Sequence, residues 1–478
     1  MKKKLISVLA VIVLLTICVT ALVACNHYEW NSIGGGDSRA ASESNGGTIV
    51  KQGNYAYFIN GYVGADADNT WGNVIKGAIV RADLDENGAI KSGTEKVVVP
   101  KNVYNSSVNG GIAVFGEWIY YATPNSEKDK NGTASTTDTD FMRTKIDGSL
   151  TQRIGTIGTR SAEYIFTPSR VLYYTSNTIS YIDFSGMKTN KSIDNGKGAT
   201  TGTIAENVSS VVWEYDAKYE GAGVADYIFY TQTITGDDSF KSYNNLYAVK
   251  YDGSDSRLLA TETTYLADGE EAVANPQKVY KFSLVDLYLE DDVTATLYYT
   301  KTYHKEGKDE TVGLFCNKFD AKNSFKVENE KKLNTLGTTT MFALGYEDGA
   351  LAFNNDSVYC WYNGENAAEP VKVTEASQKV WFVKDGYAYV SKSSSATELF
   401  KIKYKELGNV KTVVKEGIKV DWLAVERIGD NIYFFASDDK NYMHTVNIET
   451  FDYAAEDAKS TFIGVMLDAD KPAEEEEE

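Results

Sequence analysis

The sequence predicts an all-β chain folded as a single β-propeller, a ring of about eight four-stranded blades with seven as the alternative. Three observations carry that expectation. The 478 residues hold 33 Tyr, 19 Phe and 39 Gly but only 6 Pro; aromatic residues suit pleated, half-buried surfaces, and glycine suits the turns between them. Outside one N-terminal apolar run, no long stretch keeps a 3.6-residue apolar period, which argues against strands alternating with helices. A short aromatic strand also recurs eight times, at Tyr55–Ile59, Trp118–Ala122, Val171–Thr175, Tyr227–Thr231, Thr296–Thr300, Ala350–Asn354, Tyr387–Ser391 and Asn431–Phe435. Recurrence on this scale is the signature of a repeat architecture.

Each aromatic strand has neighbours of its own. A second strand follows it, often closed by an Asp-Gly turn and then by a run of β-branched residues, as in Leu246–Tyr251, Asp252-Gly253 and Arg257–Leu259. Related versions are Ile79–Leu84, Phe141–Gly148 and Leu399–Tyr404. A fourth strand lies ahead of the aromatic one across a turn, as in Val380–Gly386 and Trp422–Asp430. Four antiparallel strands per unit is what a propeller blade requires. One such sheet cannot bury both faces alone, and stacking sheets around an axis covers each face with the next. A pair of β-sandwiches is the rival arrangement. Ring closure is expected to use a blade built from both chain ends, with Thr48–Val50 and Phe462–Leu467 available for it.

The N-terminus carries a different signal. Lys2, Lys3 and Lys4 precede an apolar run from Leu5 to Val23 without a charge, and it ends Leu22-Val23-Ala24-Cys25. This resembles the lipobox of bacterial lipoproteins, in which small residues precede a cysteine whose thiol takes a diacylglycerol. The resemblance implies cleavage between Ala24 and Cys25, lipidation of Cys25, and location in the bacterial cell envelope. The chain would then sit on the outer face of the cytoplasmic membrane, or in the outer membrane of a host that has one. An uncleaved membrane anchor is the competing reading. The expected layout is a signal peptide over 1–24, the lipidated cysteine with a flexible linker over 25–47, the propeller over 48–468 and an acidic disordered tail over 469–478.

Formal net charge is −19, and more negative by three once Lys2, Lys3 and Lys4 are removed. Such a surface repels phosphate backbones and anionic headgroups, which excludes nucleic acid as a partner and leaves the N-terminal lipid as the only expected membrane contact.

The aromatic pair Tyr120-Tyr121, together with strands such as Leu246–Tyr251 ending in Asp252-Gly253, resembles the propeller-type repeats of bacterial surface proteins grouped as a domain of unknown function. The repeats are more distantly similar to the YWTD propellers of lipoprotein receptors, although the YWTD tetrapeptide itself is absent. The resemblance implies a fold and a surface location, and no catalytic residues.

Candidate sites are few. Asp83, Asp85 and Asn87 alternate before Gly88 as in the start of a calcium loop, but position twelve is Thr94 and no helices flank it, so a hairpin turn is the stronger expectation and no cofactor is otherwise implied. Cys316 and Cys360 are expected as free thiols on successive units, too far apart to bond. Of three histidines, His27 precedes the ring and His304 and His444 belong to no recognisable catalytic motif. Trp71, Trp118 and Trp361 are candidates for ligand contact, weighed against a buried structural role. Two functions follow as expectations: a binding or scaffolding propeller for an extracytoplasmic protein or glycan, and, as the alternative, a carbohydrate-active or other polymer-degrading enzyme using clustered acids.

Overall fold

The computed structural model describes residues 28, 30–104, 111–125, 137–193, 195–215, 223–235, 242–260, 280–291, 293–305, 308–320, 330–334, 342–347, 350–354, 358–362, 371–372, 378–392, 399–403, 410–412, 426–436, 439–451 and 459–471; within 332–380 it describes the backbone alone. The chain is a β-propeller-type ring. Among the described residues there are eight antiparallel sheets, each a meander of consecutive strands, with four strands in every sheet but the first, which has five. Each sheet is called here by its order in the chain.

All eight recurrent aromatic segments form the second strand of their sheets when strands are counted from the ring centre and the first sheet is counted from Ile49–Gln52, from Tyr55–Ile59 in the first to Asn431–Ala436 in the eighth. Their composition has a direct cause. A second strand has hydrogen-bonded neighbours on both edges and another sheet against each face, so Trp118–Pro124 and Asn431–Ala436 are buried at every position. Continuous apolar runs are the mark of strands covered on both faces. Tyr57, Tyr121, Tyr299, Tyr389 and Tyr433 are among the largest fully buried side chains, each contributing roughly 2 kcal/mol through the apolar area it removes from water.

The turns between third and fourth strands repeat as well. In three sheets an aspartate caps its own turn, with its Oδ1 accepting both the backbone N–H and the hydroxyl of the serine two residues on: Asp147 with Ser149, Asp183 with Ser185, and Asp252 with Ser254. Gly148 and Gly253 supply the left-handed residue, at φ +79° and +82°.

Neighbouring sheets pack through their innermost strands and shared cores. Tyr280–Leu289 lies against Phe342–Glu347, which lies against Gln378–Lys384. Phe382 and Tyr389 of the seventh sheet share a cluster with Ile432, Phe434 and Val446 of the eighth.

Two sequence expectations are corrected here. The ring does not close on a sheet shared between the chain ends: Ile49–Gln52 pairs with Tyr55–Phe58 in the first sheet, and Thr461–Phe462 pairs with His444–Thr445 in the eighth. The two sheets meet instead face to face and through side chains. Asn60, fully buried, donates through Nδ2 to Val465 O (2.7 Å) and Ile75 O (2.9 Å) and accepts through Oδ1 from Val465 N–H (3.0 Å). Glu426 accepts from the backbone N–H groups of Thr48 and Ile49.

The second correction concerns residues 30–47, expected as a flexible tether. Trp30 Nε1 donates to Val97 O, Ile33 N–H to Asp147 O (2.8 Å), and Arg81 to Gly34 O. Ser42–Glu43 then adds a fifth strand on the inner edge of the first sheet. Gly34-Gly35-Gly36 does not act as a loose spacer. Its φ angles are +64°, +70° and +110°, and a Cβ on Gly36 would lie 2.5 Å from Ile146 Cδ1, so glycine is what lets the segment lie this close to the sheet. Of the predicted acidic tail, Lys471 and the residues just before it are placed, and Asp470 accepts from the Tyr442 hydroxyl.

Candidate functional site

An aromatic cleft of about 570 Å³ opens at the turns that join first to second strands in the second and third sheets. Its floor comes from one hairpin. Ala113–Phe115 and Trp118–Pro124 are joined by Gly116-Glu117, and this tight turn places Phe115, Trp118 and Tyr120 together while Gly116 takes φ +56°. Phe115 and Tyr120 lie 5.7 Å apart. Tyr120 also contacts Phe166 at 5.9 Å and Phe184 at 5.4 Å, so the floor is anchored in the core of the third sheet. Burial pushes the Tyr120 phenol up to about 12, which keeps it neutral and a hydrogen-bond donor.

Trp118 lines this cleft with only an edge, being 6% exposed. The Arg143 guanidinium stacks 4.4 Å from its ring centroid and donates through Nε to Gln152 Oε1 at 2.7 Å. One wall is Pro168 and another is the seated N-terminal segment, Arg39 to Ser42. Arg39 and Glu117 are exposed at the rim, and Lys145 pairs with Glu117 at 3.1 Å. An apolar aromatic floor with charges of both signs around it suits a ligand that presents a flat apolar face and polar edges, such as a sugar ring or an extended peptide.

The other tryptophans fall elsewhere. Trp71, partly buried, packs edge-on against Tyr28 at 5.3 Å, away from the cleft. Trp361 and Cys360 share the strand Val358–Tyr362, whose side chains lie outside the described residues, as does that of His304. Ala24, Cys25 and the apolar run before them lie outside the described residues too. Cys316 is buried and free, its thiol pushed up to about 11 by desolvation.

The calcium candidate is organised as a hairpin turn. Asp85 Oδ1 accepts from the N–H groups of Asn87 and Ala89, both at 2.9 Å, and the Lys51 ammonium donates to Gly88 O at 2.6 Å. Asp83 is exposed at the end of its strand. Among the described residues no group of three His, Cys, Asp or Glu is placed to hold a metal ion.

Two features escaped the sequence reading. The first is a hydrogen-bonded chain in the eighth sheet: His444 bonds through Nε2 to Asp439 Oδ2 at 2.8 Å and through Nδ1 to Ser460 Oγ at 2.9 Å. Ser460 lies sixteen residues from His444, and only strand pairing brings them together, so no local motif announces them. The second is a set of carboxylates on innermost strands. Desolvation pushes Asp286 and Glu426 up to about 7 and raises Glu163. A lone acid in a strand pattern was the only available signal.

No family model matches this chain, and no curated protein matches it. Among solved structures it is similar to the acylaminoacyl peptidase of Pyrococcus horikoshii, at 9% identity and a TM-score of 0.37, covering 83% of this chain and 58% of that one. It is also similar to the tricorn protease, at 9% identity and a TM-score of 0.23, covering 86% of this chain and 48% of that one. The chain thus spans about half the length of each of these proteins.

Proposed function

We propose that the chain is a membrane-anchored extracytoplasmic lipoprotein whose propeller binds or scaffolds a glycan or protein partner, with the aromatic cleft beside Trp118 as the receiving site. The observation that carries the binding role is the convergence of Phe115, Trp118 and Tyr120 under the exposed Arg39 and Glu117. The anchoring role rests on Ala24-Cys25 behind the apolar run. The test is a titration of the purified protein against envelope glycans and peptides, followed by tryptophan emission, alongside Arg39→Ala and Glu117→Ala. Both residues are exposed, so these changes leave the fold intact. A ligand held in the cleft loses roughly tenfold in affinity in one of the two variants, corresponding to about 1.4 kcal/mol. A ligand whose binding neither variant alters sits elsewhere.

The enzymatic reading draws on the Asp439–His444–Ser460 chain, which has the residue types of a nucleophile, a base and an orienting acid. The His444 ring is buried and faces Phe434 and Phe462, at 6.3 and 6.0 Å, and this favours a structural tie between strands. Labelling of Ser460 by a fluorophosphonate would establish the enzymatic reading instead.

A further inference from the structure

We infer that the ring stands edge-on at the bilayer surface, with the joint between its first and second sheets as its base. The inference rests on the proposed lipidation of Cys25. It follows from where the chain first touches the fold. Tyr28 is only 3% exposed and packs on Trp71. Trp30 lies on the outer circumference: its Nε1 donates to Val97 of the outermost strand, Lys96–Val99, and its ring borders Gly72 and Gly148, where a Cβ would stand 3.5 and 3.4 Å from ring atoms. From there the segment runs inward past Asp147, Arg81 and Ile146 to the ring centre at Ser42–Glu43.

Three residue steps separate Cys25 from Tyr28, and an extended chain covers at most about 3.5 Å per step, so the lipid attachment lies within roughly 10 Å of the Tyr28 backbone. A 23-residue linker, by contrast, would let a ring tumble tens of ångströms from the surface in any orientation. The partly exposed Trp30 and Trp71 also stand at this edge, and tryptophan with tyrosine is the pair that favours the headgroup region. The partner is therefore the lipid headgroup layer. The aromatic cleft opens at the end of the sheets opposite to the connector that holds Trp71, because turns after first and second strands leave a meander at opposite ends. Bound edge-on, the protein keeps the cleft open to the side.

The test uses the full lipidated chain in phosphatidylcholine vesicles carrying an energy-acceptor headgroup, in a Cys360→Ser background. One donor dye is attached at Lys96→Cys, on the outermost strand of the first sheet, and another at Lys331→Cys, on the outermost strand of the fifth sheet across the ring; both residues are exposed. Transfer from position 96 should exceed that from position 331 by at least about twofold. A twenty-residue Gly-Ser insertion after Asn26 should abolish the difference. Vesicle-bound protein with equal transfer from both sites overturns the edge-on arrangement while leaving the anchor in place. Protein that carries no diacylglycerol on its N-terminal peptide by mass spectrometry overturns both.

Discussion

The ring has two joints that meet at the first sheet, and they are built differently. Toward the second sheet the join is made by residues close in sequence: Gly46 N–H donates to Ile112 O and Ile112 N–H to Gly47 O, both at 2.8 Å, side chains such as Gln52 and Arg81 donate to Gly116 O and Ile146 O, and the N-terminal segment lies across the gap. Toward the eighth sheet the join spans the two ends of the fold: Tyr62 N–H donates to Asn441 O at 2.9 Å, and side chains add Asn60 on Val465 and Glu426 on Thr48 and Ile49. Neighbours in sequence find each other at little cost in loop entropy. Segments 405 residues apart must be brought together against a larger one, and here two polar side chains fix the register. Side-chain joints can be removed singly and, where they titrate, tuned by pH.

Removing Asn60 should do the most damage. Asn60→Ala leaves the Val465 N–H and C=O without their partner, while Ile75 O keeps the Ala78 N–H, and each unsatisfied group costs about 1–3 kcal/mol. The expected loss is on the order of 3 kcal/mol, measured by urea unfolding. A substitution of equal size at the exposed Asn73 should change the midpoint little. Should Asn60→Ala unfold at the wild-type midpoint, the face-to-face packing of Tyr57, Tyr433 and Met443 closes the ring without it.

Glu426 makes the same seam sensitive to pH. Its folded carboxyl sits near 7, above its ordinary value, and so does that of Asp286. A raised carboxyl binds its proton more tightly in the folded state. Its contribution is complete below the ordinary carboxylate range, near pH 4, and is lost as pH rises through about 7. Stability should fall between pH 5 and pH 8 by an amount on the order of 2 kcal/mol for each group. Glu426→Gln isolates one share: it should match wild type at pH 5 and exceed it at pH 8. A Gln variant that runs parallel to wild type across this range would place the pH dependence elsewhere.

How far the sequence reaches is clearest in the same places. The second strands were legible because burial on both faces writes itself as an unbroken aromatic run, as at Trp118–Ala122. The Asp-Gly turns were legible because only glycine accepts their φ. Closure was not legible, since nothing in Asn60 or Glu426 distinguishes them from surface residues until the partner sheet is in place. Residues 30–47 misled for a related reason. Composition registers what a segment cannot bury by itself, whereas this segment is held by hydrogen bonds to Val97, Asp147 and Arg81 on other elements. Trp118 was legible as a candidate for ligand contact, weighed against a buried structural role, and it is 6% exposed; its companions Phe115 and Tyr120 were seen only as strand residues.

Gly36→Ala sharpens the contrast at the other joint. A φ of +110° is closed to alanine, and its Cβ would strike Ile146, so the segment must lift from the sheet at a cost of about 2 kcal/mol. Limited proteolysis should then cut before Ser42 while the ring survives, and Trp30 emission should shift to the red. Wild-type protein that is already cut there at the same rate would restore the flexible-tether reading.

The smallest effect is expected at Asp85. The carboxylate serves its own turn through Asn87 and Ala89, so Asp85→Ala should cost about 1 kcal/mol, the worth of one capped turn. That cost should be independent of calcium. Extracellular calcium modules bind at roughly 0.1–1 mM, and at about 10 mM calcium such a site would stabilise the fold by about 1.4–2.7 kcal/mol through mass action alone. The Lys51 ammonium on Gly88 O places a positive charge where a cation would enter, and repulsion at that distance works against the site. Thermal unfolding with calcium and with chelator should therefore coincide. A calcium-dependent rise that disappears in Asp85→Ala would mean that the turn reorganises around the ion and that Lys51 moves away.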